Sequence, residues 1–161
     1  MTPLEVVELK LTPAIRECER HLKRLHYAAK SGKGLFPMNA EAYNHLSDSD
    51  IATLDPMLFR FGKLQDAIGQ RLLPAILLAG QDWRDDETFL DKLHRLEKLG
   101  VIPSASDWIK LRDLRSSAMH EYPDEPEVNA ANLNRIFDGI AIFGRNLAQA
   151  RQFAEKHFLL T

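Results

Sequence analysis

The sequence predicts an all-α fold, an antiparallel bundle of four to five helices, on three observations. Apolar residues recur at three- and four-residue spacing over long stretches. No stretch sustains the period-two alternation of a half-buried strand between turn signals. The connections between the periodic stretches are mostly short, which lays consecutive helices side by side.

The first helix is expected from about Thr12 to Ala29. Thr12 serves as its N-cap and Pro13 as its first residue, where a missing N–H leaves nothing unpaired. Ile15, Cys18, Leu22, Leu25 and Ala29 form its apolar stripe, and Ser31-Gly-Lys-Gly34 stops it. The region of about 32–55 reads as an insertion or capping loop, with Pro37 and a short helix from Asn39 to Leu46. A long helix follows from about Ser49 to Leu78, with Leu58, Phe61, Leu64, Ile68 and Leu72 in phase. Pro56 is expected to break it early and Pro74 to kink it or open it locally. A shorter helix spans about Asp85 to Leu99, with Phe89, Leu93 and Leu96 inward and Gly100 as its stop. The next begins after Pro103, capped by Ser104 or Ser106, carries Trp108, Leu111 and Leu114, and runs into Met119. Pro123 forbids a simple continuation, because the residue before a proline avoids the α region. The last helix runs from about Pro126 to Phe158 with Leu133, Ile136, Ile140, Phe143, Leu147, Ala150 and Ala154 as its stripe.

A chain of 161 residues fits one domain, 1–161, and is long enough to bury a core without staples. Hydrophobic residues make up 45% and charged residues 27%, which argues against disorder. The single cysteine, Cys18, excludes an intrachain disulfide and reads as a small helix residue. No apolar run approaches a membrane span, and MTPLEVVELK lacks the features of a signal peptide, so a cytoplasmic protein without membrane contact is expected. A net charge of −2 argues against coating nucleic acid by bulk electrostatics. It leaves room for an RNA-cutting site, which needs only local positive charge.

The segment that carries chemistry is Trp108-Ile-Lys-Leu-Arg-Asp-Leu-Arg-Ser-Ser-Ala-Met-His-Glu-Tyr-Pro-Asp124. It places Arg115, polar Ser116, His120 and Tyr122 near a helix end. Here the chain resembles the HEPN family (higher eukaryote and prokaryote nucleotide-binding), whose members carry Arg, a polar residue, about three more residues and His, often followed by X-Tyr. The flanks Leu111-Arg-Asp-Leu and Pro-Asp, with the long second helix around Leu58-Phe-Arg-Phe-Gly-Lys-Leu-Gln-Asp66, resemble the bacterial toxin branch paired with minimal nucleotidyltransferases. The resemblance covers about residues 10–160. It departs in Ser116, where many members have Asn or Asp, and in the longer stretch 32–55.

The resemblance implies a metal-independent endoribonuclease with no cofactor, a homodimer, an RNA substrate and a nucleotidyltransferase antitoxin as partner. It also implies that Tyr122, in the His-X-Tyr position, accepts AMP from that partner. The residue chemistry agrees. His120 exchanges a proton near neutral pH, and Arg115 offers a planar fork to phosphate oxygens. Ser116 can orient a phosphate or the imidazole. On a regular helix, however, five residues turn about 140° and rise roughly 7.5 Å, so Arg115 and His120 would diverge. They converge if the helix tightens or unwinds before Pro123, or if a C2 partner supplies one of them. Trp108 is a candidate anchor of such an interface.

Other residues are weaker candidates. Lys63 and Asp66, on adjacent turns of the long helix, are candidates for lining the cleft. His21 and His26 among Arg20, Lys23 and Arg24 read as a solvated helix face rather than a phosphate site. His45, His94 and His157 lack metal-ligand spacing, so no metal site is expected. Ser31-Gly-Lys-Gly34 lacks the strand and spacing of a phosphate-binding loop. Two further functions stand beside the endoribonuclease: a non-catalytic subunit that docks on a nucleotidyltransferase or binds a nucleotide, and a structural helical dimer with a decayed motif.

Overall fold

A computed structural model of the chain describes residues 1–118 and 120–158; Met119 and residues 159–161 lie outside the described residues. Among the described residues the fold is all-α, a bundle of six helices. Helix α1 is a continuous rod of three segments: Pro3–Val6, a π turn Val7–Leu11, and Thr12–Ser31. Helix α2 is Ala40–Asn44. Helix α3 joins Asp48–Ala67, a π turn Ile68–Leu72, and Leu73–Ala79. Helices α4, α5 and α6 are Phe89–Leu99, Ala105–Ala118 and Pro126–His157.

Helix α1 starts earlier than the apolar stripe alone suggests. Thr2 and Glu5 form a capping box around Pro3, so the rod begins there and Thr12 is an interior residue rather than a cap. Pro13 is the second residue after the π turn. In the same way Pro74 follows the π turn of α3, where the wider turn absorbs the missing donor and the ring. Pro74 therefore opens the helix locally, as expected. Pro56 does not break it: Asp48–Ala67 runs through it without interruption. The carbonyl deprived of its donor belongs to Ala52; both residues are exposed, so solvent takes the place of that bond. Helix α4 begins at the Thr88/Asp91 capping box, a turn later than Asp85, and ends at Gly100, whose φ of 83° is left-handed. Ser104 is the residue that caps α5, its Oγ accepting from the Asp107 amide at 3.1 Å.

The core lies between α1, α3, α5 and α6. Its centre is an aromatic junction at which three helices meet. Phe143 of α6 sits edge-on to Phe61 of α3 at 4.8 Å and to Trp108 of α5 at 6.3 Å, and all three are buried. Trp108 is thus a core residue, 1% exposed, and not an interface anchor. Its position at the first turn of α5 concealed this. Cys18 is fully buried among the core residues, and burial pushes its thiol up to about 12, so it is an inert packing residue. The insertion is ordered against α6. Asn134 accepts from the Met38 amide (2.7 Å) and donates to the Met38 carbonyl (2.8 Å), and Phe36 stacks on Phe137 at 4.3 Å.

His21 is buried in the seam between α1 and α3 and is not part of a solvated face. The Arg60 guanidinium donates to its Nδ1 at 3.1 Å, so the ring proton sits on Nε2, 3.4 Å from Glu17 Oε1. Burial holds the imidazole below its ordinary pKa, with Arg60 and Arg20 acting in the same sense and Glu17 opposing. The unfolded chain therefore takes up the proton first. The stability from the neutral ring is fully present above about pH 6.5 and is lost as pH falls through the lower folded value. Between pH 7 and pH 5 the wild-type melting temperature is expected to fall more than that of His21→Gln, whose amide can still bridge Arg60 and Glu17. Equal slopes for the two proteins would refute this role.

Candidate active site

Helix α5 carries Arg112 and Arg115 three residues apart, so both project from one face toward α3. Between α3 and α5 lies an open cleft of about 530 Å³. Its floor is Gly69 and Trp108. A Cβ on Gly69 would stand 3.0 Å from the indole, so the absence of a side chain there lets the tryptophan seat against the π turn of α3. Gln65, Asp66 and Gln70 line the α3 wall, Phe89 closes one side, and Arg112, Arg115, Ser116 and His120 line the α5 wall.

Arg115 Nη2 donates to Asp66 Oδ2 at 3.0 Å. The carboxylate fixes the guanidinium plane and engages only part of its fork. Arg115 Nε is buried and has no hydrogen-bond partner among the described residues, and Gln65 Oε1, on the facing wall, is likewise buried without one among them. A buried donor and a buried acceptor thus stand unsatisfied in the same cleft, an uncommon state for polar side-chain atoms in a folded chain. The Arg112 guanidinium lies 5.6 Å from the Phe89 ring centroid and is not ion-paired among the described residues. With Arg115 balanced by Asp66, Arg112 leaves the cleft with excess positive charge.

Arg115 and His120 line this cleft within one chain. A regular helix would have turned them apart. Instead α5 ends at Ala118, and the His120 amide donates to the Ser117 carbonyl at 3.2 Å, a tightened final turn that brings residue 120 round to the cleft. The following segment is clamped from α6. Asn129 Oδ1 accepts from the Tyr122 amide (3.0 Å) and Asn129 Nδ2 donates to the Tyr122 carbonyl (2.9 Å). The insertion braces it from the other side, where Tyr43 Oη donates to Glu121 Oε1 at 2.5 Å. Burial and then the Glu121 carboxylate push the Tyr43 phenol up to about 12, so it stays a donor. Tyr122 is 37% exposed, and its ring centroid lies 6.5 Å from that of His120.

Of the residues singled out in the sequence, Arg115, Ser116, His120 and Asp66 come together here, and Tyr122 stands beside them. Lys63 does not line the cleft. It projects from the exposed face of α3, its Nζ 5.4 Å from the Phe59 ring centroid. Sequence reasoning missed Arg112, Gln65 and Asn129. Arg112 was legible, since it lies one turn before Arg115 on the same face; nothing in the sequence distinguishes Gln65 or Asn129 from other polar helix residues. Among the described residues no group of three or more His, Cys, Asp or Glu stands together as a metal site, and no helix is long and apolar enough to cross a membrane. Comparison with protein-family models, with curated proteins and with solved structures finds no match for this chain.

Proposed function

We propose that the chain is a cytoplasmic endoribonuclease, the toxin of a toxin–antitoxin pair, acting without a metal ion. The observation that carries the reading is the cleft that gathers Arg115, Ser116 and His120 and holds the unsatisfied Arg115 Nε and Gln65 Oε1. Arg115 offers its free N–H groups to the non-bridging oxygens of the scissile phosphate, and Asp66 keeps its plane fixed. Ser116 donates its hydroxyl to a phosphate oxygen. His120 takes the proton of the 2′-hydroxyl, the 2′-oxygen bonds to phosphorus, and the bond from phosphorus to the 5′-oxygen breaks. The leaving oxygen takes a proton, and the products carry a 2′,3′-cyclic phosphate and a 5′-hydroxyl. Cleavage of single-stranded RNA by the purified protein in excess chelator, with those termini, is the expected result. Intact RNA under these conditions would refute the reading and favour a non-catalytic subunit of a nucleotidyltransferase.

An in-line displacement needs its base and its acid on opposite sides of the phosphorus. One chain brings one imidazole to the cleft, and a C2 homodimer supplies the second. Sedimentation equilibrium at micromolar concentration is expected to give twice the 18.3 kDa of the chain. A monomer throughout would sink the two-histidine mechanism.

The partner in this reading is a nucleotidyltransferase antitoxin that modifies Tyr122. The phenol oxygen bonds to the α-phosphorus of ATP and gives up its proton, and pyrophosphate leaves. The added phosphate then stands beside His120 and competes with RNA for Arg115 at high effective concentration. After co-expression with the transferase, intact mass is expected to rise by one adenylyl group per chain, and by nothing in Tyr122→Phe. A gain that persists in Tyr122→Phe would place the modification elsewhere.

A further inference from the structure

On the far side of α3 from the cleft, the α1–α3 groove opens into a second cavity of about 620 Å³. Arg20, Lys23, Arg24 and Tyr27 of α1 line it at helical spacing, and Arg60 of α3 faces them. In a chain of net charge −2 this is a marked segregation of positive charge. The two carboxylates of α1 nearest these cations in sequence are engaged elsewhere: Glu17 holds Arg71 and His21, and Glu19 is paired with Arg151. None of Arg20, Lys23, Arg24, Arg60 or Lys63 is ion-paired among the described residues. His21 holds Arg60 through a neutral nitrogen, which positions the guanidinium without cancelling its charge.

One aromatic ring, Tyr27, lines the groove, and a second, Phe59, stands beside it against Arg60. Tyr27 is 76% exposed and Phe59 is 53% exposed, and Phe59 carries the Arg60 guanidinium at 5.3 Å and the Lys63 ammonium at 5.4 Å from its centroid. Rings left in solvent beside unpaired cations suit bases that stack and phosphates that need counter-charge. Arg60, Lys63 and Asp66 follow one another at three-residue steps. This ridge winds around α3 from the seam with α1, over the exposed crest, to the wall shared with α5, a rise of roughly 9 Å. The cationic groove and the Arg115 cleft are thus neighbouring troughs joined across one helix.

We propose that Arg20, Lys23, Arg24, Tyr27, Phe59, Arg60 and Lys63 form a binding track for single-stranded RNA, which holds the strand on one side of α3 while its scissile phosphate lies in the cleft on the other. The track rests on the endoribonuclease reading for the identity of its ligand, and it is tested without cleavage. The probe is a fluorescein-labelled single-stranded 12-mer with 2′-O-methyl groups throughout, which lacks the attacking hydroxyl. Affinity is measured by anisotropy over a range of salt concentrations. In Arg20→Glu/Lys23→Glu/Arg24→Glu, three exposed positions, the dissociation constant is expected to rise at least about ten-fold. The slope of log K against log salt should shrink by about 2, roughly 0.7 for each phosphate that is no longer neutralised. Tyr27→Ala should weaken binding about five-fold or more by removing the stacking surface. Arg84→Glu/Lys98→Glu/Lys156→Glu makes the same change in net charge away from the groove and should weaken binding far less. Wild-type affinity and slope in the first variant, or equal losses in both triple variants, would overturn the track. So would tighter binding of an oligoglutamate than of the oligonucleotide, which would mark the groove as a site for an acidic protein. A chain that binds through the track yet cuts no RNA would sink the endoribonuclease reading and leave the track standing. A chain that cuts RNA while the first variant binds like wild type would do the reverse.

Discussion

Replacing His120 by alanine is expected to lower RNA cleavage by about 10²–10⁴-fold, the usual contribution of one general acid–base group. The substitution removes the imidazole that meets the 2′-hydroxyl and touches little else, because His120 is exposed and its amide bond to Ser117 is made by the backbone. Folding should be unchanged, so the loss should appear in kcat with the melting temperature held. Cleavage that survives at wild-type rate would remove His120 from the mechanism. Arg115→Ala is expected to differ in kind: it takes away the group that binds phosphate and leaves Asp66 without its cation, so KM should rise along with the fall in kcat.

Phe143→Ala is expected to cost about 3–5 kcal/mol of folding free energy, the range for deleting a buried aromatic ring. Phe143 is fully buried and meets Phe61 and Trp108 edge-on, so the cavity opens where α3, α5 and α6 converge and cannot close by movement of a single side chain. A domain of this size holds only about 5–15 kcal/mol in total. The melting temperature should fall by roughly 6–20 °C. Leu4→Ala, at a residue 66% exposed, should stay within about 0.5 kcal/mol of wild type. A Phe143→Ala protein destabilised by less than about 1 kcal/mol would mean that the junction repacks. Trp108 floors the cleft as well as the junction, so the same variant should also weaken the site at temperatures where it remains folded.

The sequence by itself determined what depends on neighbours along the chain. The stripe of α6 from Leu133 to Ala154 is buried as its spacing requires, because the helical period is a local property of the backbone. The stop at Gly100 and a start at Ser104 or Ser106 were legible for the same reason: a cap answers to N–H and C=O groups within one turn. The Arg115–His120 spacing was legible as chemistry, but its failure to fit a regular helix left open a tightened helix end, an unwound one or a partner's residue, and only the bond from the His120 amide to the Ser117 carbonyl chose among them. Tertiary structure alone decided the rest. The pairing of Arg115 with Asp66 spans 49 positions, and that of His21 with Arg60 spans 39, so no local pattern could report either. The burial of Trp108 depends on Phe143 and Gly69, which lie on two other helices. The cations of α1 read as a solvated face because a single helix cannot show what stands across the groove. Only when α3 lies alongside do Pro56 and Arg60 turn that face into one wall of a concave, positively charged trough, since packing, not sequence spacing, sets which charges share a cavity.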